Sequence, residues 1–140
     1  MAIRFFFQEA HITLAERNKL KSFIEILFKK EKKNLSSLNY VFCLDKYLLD
    51  INRCFLQHDY YTDIITFDLS DQPNRIMGEV YISVDRVRDN AKKIHTSIKE
   101  ELHRVIFHGA LHLCGYNDKT IQDKKTMTST ENKYLEMYFS

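Results

Sequence analysis

The sequence predicts an α+β fold: one mixed four-stranded β-sheet packed with about five α-helices, forming a single domain over residues 1–140. Three observations predict it. Strand-like and helix-like segments follow one another in the order β-α-β-α-β-β-α-α-α, which calls for a sheet covered by helices. The third and fourth strands are separated only by Ser70-Asp71-Gln72-Pro73-Asn74, a turn too short for a parallel crossover, so they should pair antiparallel. The 140 residues, 44% hydrophobic and 29% charged, suit one globular core, and one Pro and three Gly leave little for linkers.

Ile3 to Gln8, rich in Phe and Ile, reads as the first strand. Thr13 then reads as a helix N-cap, with Glu16 completing a capping box. Leu20, Phe23, Ile24, Leu27 and Phe28 recur at helical spacing up to a lysine cluster. The long helix lets the first two strands run parallel. Leu38 to Leu44 reads as the second strand, and Asp45 as the cap of a short helix carrying Tyr47, Leu48, Ile51 and Phe55. Thr62 to Leu69 is β-branched and aromatic, hence the third strand, and Ile76 to Val84 returns as the fourth. Asp85 starts a further helix through Val87 and Ile94. Ser97 caps the next, which runs to about Gly115, and Met127, Tyr134, Leu135 and Tyr138 mark one side of a last helix.

The net charge of +2 says little about partners, but its distribution says more. Lys29, Lys30, Lys32 and Lys33 form one basic cluster and Arg86, Arg88, Lys92 and Lys93 another; both suit phosphate contacts and equally suit solvated helix ends. Cys43, Cys54 and Cys114 show no paired spacing and read as small buried hydrophobes in a reduced cytoplasm. The sequence shows no signal-peptide pattern and no apolar run of membrane-spanning length, so no membrane partner is expected.

The chemistry concentrates in His108-Gly109-Ala110-Leu111-His112-Leu113-Cys114-Gly115-Tyr116-Asn117-Asp118. Residues four apart on a helix lie about 40° from being in line and roughly 6 Å apart along the axis, so two imidazoles can converge on one ion. Leu102, Val105, Ile106, Gly109, Ala110 and Leu113 form the apolar stripe, with the histidines at its edge. Gly115 suits a left-handed helix end, and a turn there can return Asp118 to the histidine pair. Three protein ligands leave a fourth position for water, the layout of a catalytic zinc site. Two histidines at this spacing also occur by chance on amphipathic helices. Cys114 falls about 200° around the helix from His112 and points elsewhere. His11, His58, His95 and His103 have no partners at ligand spacing and read as surface or core residues.

The stretch from His108 to Asp118 resembles the YbeY family of bacterial endoribonucleases, whose signature is H-G-x-L-H-L-x-G-Y-D-H. It matches at His108, Gly109, Leu111, His112, Leu113, Gly115 and Tyr116. Asp59 to Phe67 resembles the family's strand before the metal helix, and Gly78-Glu79-Val80-Tyr81-Ile82-Ser83 its Gly-Asp-Ile-x-Ile-Ser strand. Two positions depart. Asp118 stands where the third metal histidine is expected, preceded by Asn117 in place of Asp, and Leu56 stands where the family often carries an arginine. Arg53 is the nearest arginine and a possible catalytic substitute.

The resemblance implies a zinc-dependent, single-strand-specific endoribonuclease acting in 3′-end maturation of 16S rRNA and in ribosome biogenesis. Its partners would be ribosomal RNA and the small ribosomal subunit, with no DNA expected. Metal ligands would be His108, His112 and Asp118, with a metal-bound water as reactant. Two alternatives stand beside it. One is a metalloprotease, since metzincins share the spacing of His108, His112, Gly115 and Asp118 but place Glu where Gly109 stands. The other is a non-catalytic factor that binds rRNA through its basic surface.

Overall fold

A computed structural model describes residues 3–140. Nine elements follow in chain order: β1 (Ile3–Phe7), α1 (Arg17–Lys30), β2 (Leu35–Cys43), α2 (Asp45–Leu56), β3 (Ile64–Asp68), β4 (Ile76–Ser83), α3 (Val84–Lys93), α4 (Ile98–Leu113) and α5 (Ile121–Phe139). The sheet order is β1-β2-β4-β3. β1, β2 and β4 run parallel, and β3 closes one edge antiparallel to β4. The α+β class, the mixed four-stranded sheet and the element order are those the sequence predicts.

Helix α4 is the central element. Its predicted stripe is buried, and so are Phe107 and Leu111 on its flanks. It lies on the β3–β4 side of the sheet, where the absence of two side chains sets the separation. A Cβ on Gly109 would stand 2.8 Å from Val80 Cγ1 and 3.1 Å from Ile64 Cδ1, and one on Gly78 would stand 2.5 Å from Leu113 Cδ1. All three distances are below ordinary van der Waals contact, so glycine at both positions lets the helix sit this close. The sheet's other face is covered more thinly, by α2, with Cys43, Leu48, Ile51 and Ile65 as a small second core.

Several expected boundaries and caps differ. Thr13 does not cap α1. The residue before the helix is Glu16, in a left-handed conformation (φ 51°, ψ 53°) with no side-chain cap. Ala10 and Leu14 of the preceding segment are buried, and packing them holds the chain out of helical conformation until Arg17. Strand β2 begins at Leu35, three residues before the expected Leu38, across a register irregularity between Leu35 and Ser37.

Asp45, expected as a cap, is the first residue of α2, and α3 begins one residue before the expected Asp85. Because β2 and β4 are parallel neighbours, α2 and α3 start side by side. Asp85 Oδ2 accepts from the Asp45 backbone N–H of α2 at 2.8 Å. Ser83 caps α3, its Oγ accepting from Arg86 N, and that same Oγ donates to Asp45 Oδ1 at 2.8 Å. The start of α2 is thus completed by α3, while Asp45 in return holds the Ser83 hydroxyl and the Arg86 guanidinium. Ser97 caps α4 as predicted, accepting from Glu100 N at 3.0 Å. Of the cysteines expected to be buried, Cys43 and Cys114 are, while Cys54 is exposed on α2. No described helix is long and apolar enough to cross a membrane.

Candidate metal centre

Helix α4 ends in a Schellman turn that places the third member of the cluster. Gly115, at φ +107°, occupies the left-handed position that a side chain would strain. Tyr116 N–H donates to Leu111 O and Gly115 N–H to His112 O, both at 3.0 Å, satisfying carbonyls that the helix end leaves free. The chain folds back, and Thr120 with Asp123 forms a capping box that starts α5. Asp118 is held between these two anchors. Its Oδ2 lies 3.4 Å from His108 Nε2 and 3.3 Å from His112 Nε2.

One ligand atom from each of the three residues lies within 4.8 Å of the others, a cluster that can hold a metal ion. Zinc with ligands at 2.0–2.1 Å in tetrahedral array has corners about 3.3–3.4 Å apart, so both carboxylate–imidazole separations match that polyhedron. The electrostatics agree. Glu131 Oε2, from the buried face of α5, stands 2.5 Å from His108 Nδ1, so that nitrogen donates and Nε2 turns to the cluster. Burial opposes charge on His108, but the Glu131 hydrogen bond and charge, with Asp118 and Asp63 nearby, outweigh it and raise the imidazole pKa. Carboxylates on both ring nitrogens suit an imidazole that carries or faces positive charge.

The cluster opens into a cleft of about 500 Å³ between β3 and α4, lined by Thr62, Asp63, Thr66 and Asp68 opposite the two histidines and Asp118. Burial pushes the Asp63 carboxyl above its usual range, partly countered by His108. Gly109 faces Val80 and Ile64, so a glutamate after His108, as metzincin peptidases have, would drive into the sheet. Cys114 is buried in the core, as its helical angle predicts, and burial raises its thiol to about 12.

The fold and this geometry meet the same family in the comparisons. The family model described as Endoribonuclease YbeY matches residues 5–138. The chain belongs to the YbeY endoribonuclease family. It is 48% identical to the Endoribonuclease YbeY of Cytophaga hutchinsonii over 135 residues, covering 96% of this chain and 94% of the relative. Identity to the Endoribonuclease YbeY of Parabacteroides distasonis is 42% over 135 residues, with the same coverage. The solution structure of TM1509 from Thermotoga maritima superposes with a TM-score of 0.62 at 26% identity, covering 98% of this chain and 89% of that one. As a YbeY-family endoribonuclease, the protein hydrolyses RNA.

The basic residues do not form one surface. Lys29 and Lys30 are exposed in the last turn of α1, and Lys32 and Lys33 follow at the end where β2 begins. Arg86 and Arg88 lie past the far end of the parallel strands. Arg86 Nη2 pairs with Asp45 Oδ2 at 2.9 Å and its guanidinium covers the Tyr61 ring, while Arg88 donates to the His11 carbonyl. Lys92 and Lys93 are exposed in the last turn of α3. Arg53 is engaged by Asp59 at 2.5 Å, and neither it nor Leu56 lines the metal cleft. Glu131 was not legible as a site residue in the YbeY signature. Its signal is a carboxylate at the helical spacing of Met127, Tyr134, Leu135 and Tyr138, inside the apolar stripe of α5.

Proposed function

We propose that this protein is a zinc-dependent endoribonuclease specific for single-stranded RNA, acting in the cytoplasm on the 3′ end of 16S rRNA during assembly of the small ribosomal subunit. The observation that carries the metal reading is the convergence of His108 Nε2, His112 Nε2 and Asp118 Oδ2 at the base of an open cleft. Membership of the YbeY family supports RNA as the substrate, and the basic residues at both ends of the sheet suit a phosphate backbone.

His108, His112 and Asp118 would hold the ion. Bound there, zinc supplies a Lewis acid that polarises a phosphoryl oxygen and acidifies a water. The remaining work falls to the chain itself. Glu131 fixes the ring orientation and tautomer of His108, and Arg104, 3.2 Å from the other Glu131 oxygen, neutralises that buried carboxylate. Asp63 gives the cleft wall a carboxylate that can hold a proton beside the reacting phosphate. The exposed Lys29, Lys30, Lys32 and Lys33, with Lys92 and Lys93, would hold the backbone.

The test is metal content and cleavage measured together. Purified protein is expected to carry about one zinc per chain and to cut single-stranded RNA, with both properties removed by chelation and restored by zinc. Cleavage that persists undiminished in the chelated protein would refute the reading. Peptidase assays on unstructured proteins should be blank.

A further inference from the structure

A second cavity, of about 410 Å³, adjoins the metal cleft at the start of β4, and Asp68 and Leu113 line both. Its far wall carries Lys32, Lys33 and Arg75. These three cations come from two separate segments, yet each is held to the body of the protein. Glu31, the residue before Lys32, accepts from Tyr116 Oη at 2.8 Å and from Tyr134 Oη, fixing the end of α1 against the α4–α5 turn and α5. Lys33 N–H donates to Phe28 O at 2.9 Å, and Lys32 takes the left-handed position (φ 59°) of the helix end. Arg75 closes the β3–β4 turn, its N–H donating to Gln72 O at 3.3 Å. Its Nε is shielded from solvent with no hydrogen-bond partner among the described residues, and its only carboxylate neighbour there is Asp71, 3.7 Å from Nη2.

A cavity that gathers three cations on anchored backbone, one of them an arginine with a single long carboxylate contact, fits an anion better than it fits solvent alone. Resting on the endoribonuclease reading of the adjoining cleft, we infer that this second cavity is a phosphate subsite. It takes the backbone of the RNA strand beyond the nucleotides at the metal, with Arg75 as a binding residue. The strand then runs along β3 past Asp68 into a basic pocket. A short RNA fills the metal cleft only, and a longer one gains the subsite.

The experiment is equilibrium binding of fluorescently labelled single-stranded RNA, a tetranucleotide and a dodecanucleotide, across a salt series. Each phosphate contact contributes about 0.7 to the slope of log affinity against log salt for a single strand. Replacing Lys32, Lys33 and Arg75 together by Gln is expected to lower the dodecanucleotide slope by about 2 and its low-salt affinity by about 10-fold or more. Tetranucleotide binding should stay at the parental value. Arg75→Gln alone should lose about 0.7 of the slope, and Arg75→Lys should keep it. Lys19→Gln, an exposed lysine in the first turn of α1, removes one charge elsewhere and should change neither. Parental affinity and slope in the triple variant would overturn the subsite, as would an equal loss in Lys19→Gln and Arg75→Gln. Thermal melting confirms that the variants are folded. Because the readout is binding, the two readings fail separately. An Asp118→Ala protein that still cleaves RNA would refute the metal site while leaving the length-dependent Arg75 effect in place.

Discussion

Helix α4 carries three histidines, and its two halves use them in opposite ways. His103, in the N-terminal half, is 1% exposed and stacks on Tyr138 at 5.1 Å. Its Nδ1–H donates to Lys99 O at 2.7 Å, and burial pushes its pKa down. His108, five residues on, shows the same ring with the same nitrogen occupied. There the partner is the Glu131 carboxylate, with Asp118 beyond the other nitrogen, and the pKa is raised. A histidine on a buried helix is neutral packing or a ligand according to whether its acceptors carry charge. The contrast accords with His108 facing the cleft and His103 the core.

The largest effect should come from the residue that makes the C-terminal half a site. Asp118→Ala removes the proposed third ligand and is expected to abolish zinc binding and RNA cleavage together, with the melting temperature of the metal-free protein unchanged. Parental zinc affinity in that variant would reduce Asp118 to a solvent carboxylate at the helix end. Next comes the partner that separates the two histidines. Glu131→Gln keeps the shape but removes the charge behind His108, and should weaken zinc binding about 10–100-fold, measured by competition with a chromogenic chelator. An unchanged affinity would place the difference between His103 and His108 somewhere other than their acceptors.

Asp118→His sharpens the comparison by changing only the charge of the site. With the proposed ligands, two imidazoles and one carboxylate would leave zinc a net charge near +1, and three imidazoles would leave +2. The bound water is then more acidic in the variant, so zinc should be retained and the pH–rate profile should move to lower pH. The smallest effect belongs to the N-terminal half. His103 has a folded-state pKa below its unfolded value, so the unfolded chain binds more protons near and below pH 6.5 and stability falls as pH drops through that range. His103→Phe removes this loss. Its stability at neutral pH should lie within about 1.5 kcal/mol of the parent, and denaturant melts at pH 5 and pH 7.5 should differ less than the parent's.

What was legible in the sequence follows the same division between local and distant causes. The order of elements, the antiparallel β3–β4 pair and the return of Asp118 through Gly115 are all set within about ten residues, and pattern reading reaches them. Ser97 caps α4 as predicted because its partner is three residues away. The failures involve partners from elsewhere. Asp85 accepts from the first backbone N–H of α2, which the sequence left to Asp45 itself, and it does so from a helix on the neighbouring parallel strand. Thr13 loses its helix to the burial of Leu14. Glu131 reaches His108 from another helix, 23 residues away in sequence. Arg75 and Lys33 share a cavity that no spacing along the chain announces.

The Glu31 carboxylate also has a kinetic consequence. It joins Tyr116 and Tyr134 across 85 and 103 residues of chain, so both hydrogen bonds close only after nearly the whole polypeptide is in place. Both are side-chain hydrogen bonds made between elements that must already be docked, and such finishing contacts form after the rate-limiting barrier to folding. Glu31→Ala should therefore leave the refolding arm of a chevron plot almost unmoved and steepen the loss of the native state, with a φ-value near zero. The basic pocket and the turn carrying Asp118 would then be the last parts of the molecule to assemble and the first to come apart.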